Sequence, residues 1–270
     1  MEKRLISLGL GAGLLAGVAS FAYARIQAAP LIAGAIEYEE ARSHAEEAAG
    51  GGHSHEQEVF TRAVQENLGA GVGTIAFAVI TGALFAVALS ITLATLRRHR
   101  IAFDTRAVAA VLAGVAFIAV CVVPWIAYPA TLPGVGQPET AGARTTAYLA
   151  LLITSLVLAA LAGVGGLRLA PRIGGYAAAA TGIAGYLVAV SVAITVLPSY
   201  RETPQPVTGP DGTVVFPGFP ADLLADFRII TVVCQGILWL VMGAAFAVLL
   251  PRVLGITRND NRTEVLSAHR

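Results

Sequence analysis

Long uncharged apolar stretches alternate with short charged segments along the whole chain. The stretches run Leu5–Ala24, Asn67–Leu96, Ala107–Pro138, Thr145–Leu167, Ile173–Tyr200 and Ile229–Pro251. Each can cross a hydrocarbon core about 30 Å thick, which takes roughly 20 residues of helix. A helix that is apolar all round has no water-facing side, so this pattern belongs in lipid. It predicts an all-α, polytopic integral membrane protein with six transmembrane helices. Residues 1–252 then form one transmembrane domain, including outer loops 25–66 and 200–228, and residues 253–270 form a cytoplasmic polar tail. Within the third stretch the helix is expected to stop near Pro124–Pro129, because proline interrupts the backbone hydrogen-bond ladder. The composition agrees, with a mean hydropathy of +0.72 and 13% charged residues.

Charge placement orients the spans. With the N-terminus inside, one side carries Lys3, Arg4, Arg97, Arg98, Arg100, Arg106, Arg168, Arg172, Arg252, Arg258, Arg262 and Arg270. The other holds Arg25, Arg42, Arg62, Arg144, Arg201 and Arg228. Basic residues near span ends favour the cytoplasmic side, so both termini are expected there. Most carboxylates fall outside, in Glu37–Glu66, Glu139, Glu202, Asp211, Asp222 and Asp226. The net charge of +1 hides this polarity. Nucleic acid is not an expected partner, since its binding needs a basic patch on an accessible face; the lipid bilayer is.

The first stretch admits two readings. Met1–Arg4, the apolar run and Ala22-Tyr23-Ala24 resemble a secretory signal. The run is longer than a signal core, however, and carries Gly9, Gly13 and Gly17 at four-residue spacing. Such glycines let two membrane helices approach closely, which favours a retained span.

The outer loop 25–66 carries the candidate chemistry. Residues from about Ala33 to Ala49 are rich in alanine and glutamate and end at Gly50-Gly51-Gly52, a helix with a glycine stop. Glu40, His44 and Glu47 fall on one face of it, and Arg42–Glu46 make an i, i+4 pair. In the following His53-Ser54-His55-Glu56-Gln57-Glu58, an extended backbone puts both imidazoles on one side. The glycines permit the turn that brings Glu56, Glu58 or His44 toward them. His53, His55, Glu56, Glu58 and His44 are therefore the candidate metal ligands. Imidazole with carboxylate suits divalent cobalt, nickel or zinc without choosing among them. The plain alternative is a polar connector that binds nothing.

Two further outer segments have local signatures. Trp125 and Tyr128 suit an interfacial aromatic belt, and Arg144 opens the fourth span as an anchor or a gate residue. Val207–Val215 around Pro210-Asp211-Gly212 reads as a hairpin. Phe219–Arg228 reads as a short amphipathic helix lying at the surface before the sixth span.

Within the spans the polar residues are hydroxyls, Asn67 and Gln235, the last having the largest polar head. No Asp, Glu, His or Lys falls well inside a span, which argues against a self-contained proton-coupled pump. Cys121 and Cys234 have no metal-type spacing and read as small packing residues. Met1 and Met242 are too few for a thioether pathway of the kind that suits Cu(I). No P-loop, nucleophile motif or zinc-protease motif is present, so no constellation supports an enzyme, and no permanently bound cofactor is expected.

An ordered series of short motifs resembles the CbtA-type cobalt transporter subunits. It comprises Arg25–Pro30, Tyr38-Glu39-Glu40-Ala41, the Gly-His-Glu loop before Glu58-Val59-Phe60-Thr61-Arg62, and Asn67–Gly73. Tyr128-Pro129-Ala130, Gly142-Ala143-Arg144-Thr145 and Phe219–Leu224 continue it, so the likeness runs from Arg4 to about Arg252. The resemblance implies a multi-pass protein of a bacterial inner membrane that takes up Co²⁺, often for cobalamin supply. It also implies a small single-span CbtB-type partner with histidines of its own. The chain departs from that pattern in its short His loop and in Val207–Phe216, which looks like an insertion. The expected function is uptake of a divalent transition-metal ion. The competing reading is a non-transporting scaffold that assembles with a His-bearing partner through its glycine faces.

Overall fold

The computed structural model describes residues 2–48, 69–200, 202–209 and 211–255. Six helices in it are long and apolar enough to cross a membrane. They are α1 (Glu2–Gln27), α3 (Ala70–Arg98), α4 (Thr105–Ala127), α5 (Ala141–Ile173), α6 (Gly175–Val196) and α7 (Ala221–Leu254). A further helix, α2 (Ala29–Ala48), follows α1, and a two-stranded hairpin, β1 (Val207–Thr208) with β2 (Val214–Phe216), precedes α7.

Helices α1, α3, α4 and α7 form the main bundle around Phe85, Leu89, Leu238, Met242, Phe246 and Leu250. The Phe85 ring meets Phe246 edge-on, with centroids 4.9 Å apart. Lipid tails are as apolar as these side chains, so close packing rather than water exclusion holds such helices together. Small residues supply that closeness. A Cβ on Gly9 would lie 2.5 Å from the carbonyl oxygen of Gly82, and one on Gly17 would lie 2.8 Å from the Ala78 methyl. The glycine face expected on α1 is thus filled by α3. On the other side of α7, a Cβ on Gly243 would lie 2.8 Å from that of Ala113 in α4. Ser20 of α1 also donates to the Cys234 carbonyl of α7 at 3.0 Å.

The α5–α6 hairpin stands beside this bundle and joins it through α4. Here α4 contains a wide turn, Ile118–Val122, in which the Val123 N–H bonds to the Ile118 carbonyl. Pro124 explains the turn. It has no N–H for the Val120 carbonyl, and its ring crowds the preceding turn. The helix widens instead of stopping and continues to Ala127. The widening leaves the Ala119 carbonyl for Ser155 of α5, whose hydroxyl donates to it at 2.8 Å. The same Oγ lies 2.8 Å from the Tyr186 hydroxyl of α6, and Ser155 is fully buried.

The third apolar stretch stops being helical at Ala127, within the Pro124–Pro129 window expected, and Pro129 and Pro133 follow. Two sequence expectations change. The helix expected from about Ala33 begins at Ala29, since Pro30 in a first turn lacks only an N–H that would be unbonded anyway. Phe219–Arg228 is not a separate surface helix. From Ala221 on it is the first part of α7, which runs 34 residues and hence about 50 Å, well beyond the hydrocarbon thickness. No proline or glycine separates Arg228 from Ile229, so nothing ends the helix there. The hairpin lies where expected. Asp211 closes its turn by accepting from the Thr213 hydroxyl at 2.7 Å, and Gly212 takes φ +79°.

Candidate functional site

Helix α2 carries five of the described acidic residues, Glu37, Glu39, Glu40, Glu46 and Glu47, and its position follows from one aromatic anchor. Tyr38 is buried and packs edge-on against Phe219, with centroids 4.9 Å apart, and against Phe216 at 5.3 Å. Its hydroxyl donates to the Pro217 carbonyl at 2.9 Å. Ala35, Leu132, Val135 and Leu224 complete this small core beyond the main bundle. One turn on, Arg42 donates to the Gln205 carbonyl at 2.7 Å and pairs with Glu46 at 2.8 Å, as expected at i, i+4. The helix is thereby fixed across the hairpin. Glu37, Glu39, Glu40, His44 and Glu47 remain exposed on it.

Of the candidate ligands, the structure places only His44. Its Nδ1 lies 3.9 Å from Glu47, on an exposed face. His53, His55, Glu56 and Glu58 lie in residues 49–68, outside the described residues. Among the described residues no three of His, Cys, Asp and Glu gather to hold a metal ion. Glu40, His44 and Glu47 therefore share a helix face without converging.

Arg144, expected as an anchor or a gate, belongs to a clamp between two segments that connect spans. Its Nε lies 3.6 Å from Glu202, and its guanidinium donates to the Gln137 carbonyl at 3.2 Å. Gly136, at φ +99°, leaves room for that guanidinium, which any Cβ there would strike. Glu202 also accepts from the Gln137 N–H at 3.0 Å and the Thr140 hydroxyl at 2.7 Å. The Gln137 N–H first, then Thr140, and then the Arg144 charge hold the Glu202 carboxyl below its ordinary range, against partial desolvation. A carboxylate with a depressed pKa stabilises the folded form above its unfolded pKa and loses that contribution as pH falls through the folded value. Acidification below about pH 4 is therefore expected to loosen this clamp, and Glu202→Gln to remove the response. Hydrogen exchange at Gln137 and Thr140 between pH 6 and pH 3 measures it; identical acid sensitivity in both proteins would refute the assignment.

Inside the membrane, Gln235 of α7 meets Cys121 of α4, with Oε1 3.6 Å from Sγ. The Trp239 indole N–H donates to the same sulfur at 3.2 Å. Cys121 is thus a hydrogen-bonding member of an interhelical cluster and not merely a small packing residue. No residue spacing announces this cluster, because it depends on the rotation of two helices that are distant in sequence. At the C-terminal end of α4 the aromatic pair expected at an interface is pinned as well. The Trp125 indole donates to the Arg228 carbonyl at 3.1 Å and the Tyr128 hydroxyl to Pro198 at 2.7 Å.

Residues 2–251 match the model of the CbtA family, described as a probable cobalt transporter subunit. The chain belongs to the CbtA family. No curated protein and no solved structure matches it. The match includes the whole of α1 to α6, the hairpin and α7 as far as Pro251. The small core around Tyr38 and the Arg144–Glu202 clamp are thus parts of the matched CbtA region. So is the Cys121–Gln235–Trp239 cluster.

Proposed function

We propose that this CbtA subunit takes up Co²⁺ across a bacterial inner membrane, with both termini in the cytoplasm. Segment 49–68 with α2 collects the ion at the outer face. The observation that carries this reading is the rigid mounting of α2, which holds exposed carboxylates and His44 beside the point where that segment leaves the helix. His53, His55, Glu56 and Glu58 act there as ligands, with His44 on α2 joining them. Nickel and zinc would fit the same donors, so selectivity for cobalt is set elsewhere. The spans contain few oxygen donors, and a small single-span partner with its own histidines completes the path. The glycine face of α1 is spent on α3, so that partner docks elsewhere on the bundle.

Uptake of radioactive cobalt in a strain lacking other carriers, with the chain alone and with its partner, tests the proposal. Accumulation above the empty-vector level supports transport; none in either combination supports the scaffold reading. Replacing His53 and His55 with alanine is expected to raise the half-maximal cobalt concentration at least the roughly tenfold that losing a supporting residue of a metal site costs. Maximal uptake changes less, because the segment concentrates the ion. At about pH 5.5 the unmodified protein should approach the variant, since protonated imidazole has no lone pair to offer. An unchanged concentration dependence at both pH values would make the segment a solvated linker.

A further inference from the structure

Between α5 and α6, toward the end where α3 and α7 also finish, lies a groove of about 380 Å³. Small residues make it. A Cβ on Gly182 would lie 3.1 Å from the Ala162 carbonyl, so the helices nearly touch there. One turn further along α6, a Cβ on Gly185 would meet nothing within 4 Å. Leu158 and Leu161 wall this open part, and Arg168 and Arg172 stand at its mouth. The two arginines are four apart on α5, on one face of the helix. Both are exposed, and neither has an ion-pair or hydrogen-bond partner among the described residues. α6 is also the least covered of the six spans, so bilayer lipid is the medium that reaches the slot.

An apolar slot ending in two unneutralised guanidinium groups has the charge and shape complement of a single-chain segment with an anionic head. A partner helix would set apolar side chains against both charges, and a free phosphate would leave the apolar slot unused. We propose that this groove binds one anionic phospholipid, its phosphate paired with Arg168 and Arg172 and an acyl chain lying along Leu158 and Leu161. Guanidinium and phosphate match as bidentate partners. Basic pockets between membrane helices on the cytoplasmic side are suited to such headgroups.

The test uses the purified full chain in detergent, with bound lipid counted by native mass spectrometry after adding phosphatidylglycerol or phosphatidylcholine. One phosphatidylglycerol should be retained with roughly thirtyfold preference, the factor expected from two arginines at the usual increment each. Arg168→Gln with Arg172→Gln should remove the preference, while Arg97→Gln with Arg98→Gln, at the same membrane side but outside the groove, should keep it. Gly185→Leu should fill the slot and lower retention at least about tenfold, as one lost contact of that size would. Gly163→Leu, also in open space but away from the groove, should not. Equal retention of the two lipids, indifference to Gly185→Leu, or displacement by millimolar inorganic phosphate would each overturn the proposal.

Discussion

Replacing Gly13 with leucine is expected to abolish accumulation of folded protein, whereas Gly11→Leu and Leu14→Ala should be tolerated. A Cβ on Gly13 would run into the Ala78 carbonyl oxygen and lie 2.9 Å from the Val79 Cα, both backbone atoms of α3. Backbone cannot move aside as a side chain can, so α1 and α3 must separate. Forced overpacking of this kind costs on the order of 3 kcal/mol or more, against a total stability of about 5–15 kcal/mol. The defect should be reciprocal, because a Cβ on Gly82 would strike the Gly9 carbonyl in the same crossing. Gly11 lies in the same helix, but its Cβ would meet nothing within 4 Å, and Leu14 is half exposed. Membrane extracts of the three variants, run by size exclusion with a fluorescent tag, measure the effect. Equal monodisperse yields for Gly13→Leu and Gly11→Leu would show that the crossing does not hold the bundle together.

That contrast also shows where sequence reading succeeds in a membrane protein. The existence of six spans depends on local hydropathy, so each span could be read without knowing its neighbours. The face formed by Gly9, Gly13 and Gly17 was legible for the same reason, since four-residue spacing on a helix is a local property. What fills the face was not legible. The α3 residues Ala78 and Gly82 have no spacing that distinguishes them from the other small residues of that helix. The stop of α4 was legible, since Ala127 falls within the Pro124–Pro129 window, but the wide turn before it was not, because a serine from another helix takes the Ala119 carbonyl. Phe219–Arg228 is amphipathic because its inner side packs against the Tyr38 core, not because it lies flat on a membrane.

The candidate site divides along the same line. The Arg42–Glu46 pair followed from helix spacing and is present. The role of Arg144 did not, because its partner Glu202 comes from a loop far along the chain. Gln235 could be singled out as the most polar side chain in a span, yet its contact with Cys121 and Trp239 depends on how α4 and α7 rotate against each other. For His53, His55, Glu56 and Glu58, sequence remains the source of the argument. The structure adds the platform from which their segment departs.

Tyr38→Ala is expected to release that platform. The phenol ring is buried between Phe216 and Phe219, and truncating a buried aromatic to alanine costs about 3–5 kcal/mol. The small core and the Arg42 contacts join α2 to the hairpin region, apart from the main bundle, so a loss of this size should be felt as local detachment while the main bundle survives. Tyr38→Phe keeps the ring and gives up the hydroxyl's bond to Pro217, worth about 1 kcal/mol, and a long 3.4 Å one from Arg42, which still holds Gln205 and Glu46, and should leave α2 in place. Limited proteolysis of right-side-out vesicles reads the difference: cleavage within Ala29–Ala48 should rise sharply for Tyr38→Ala and little for Tyr38→Phe. Equal cleavage of Tyr38→Ala and the unmodified protein would show that α2 does not depend on this anchor. Cobalt uptake then separates two ways in which the outer segment can act. If Tyr38→Ala raises the half-maximal concentration as the His53 and His55 replacements do, the fixed end of the site matters as much as its ligands. If only the histidine replacements raise it, the segment captures the ion without α2, whose acidic face contributes no more than its screened electrostatic attraction, confined to about 8 Å at physiological salt.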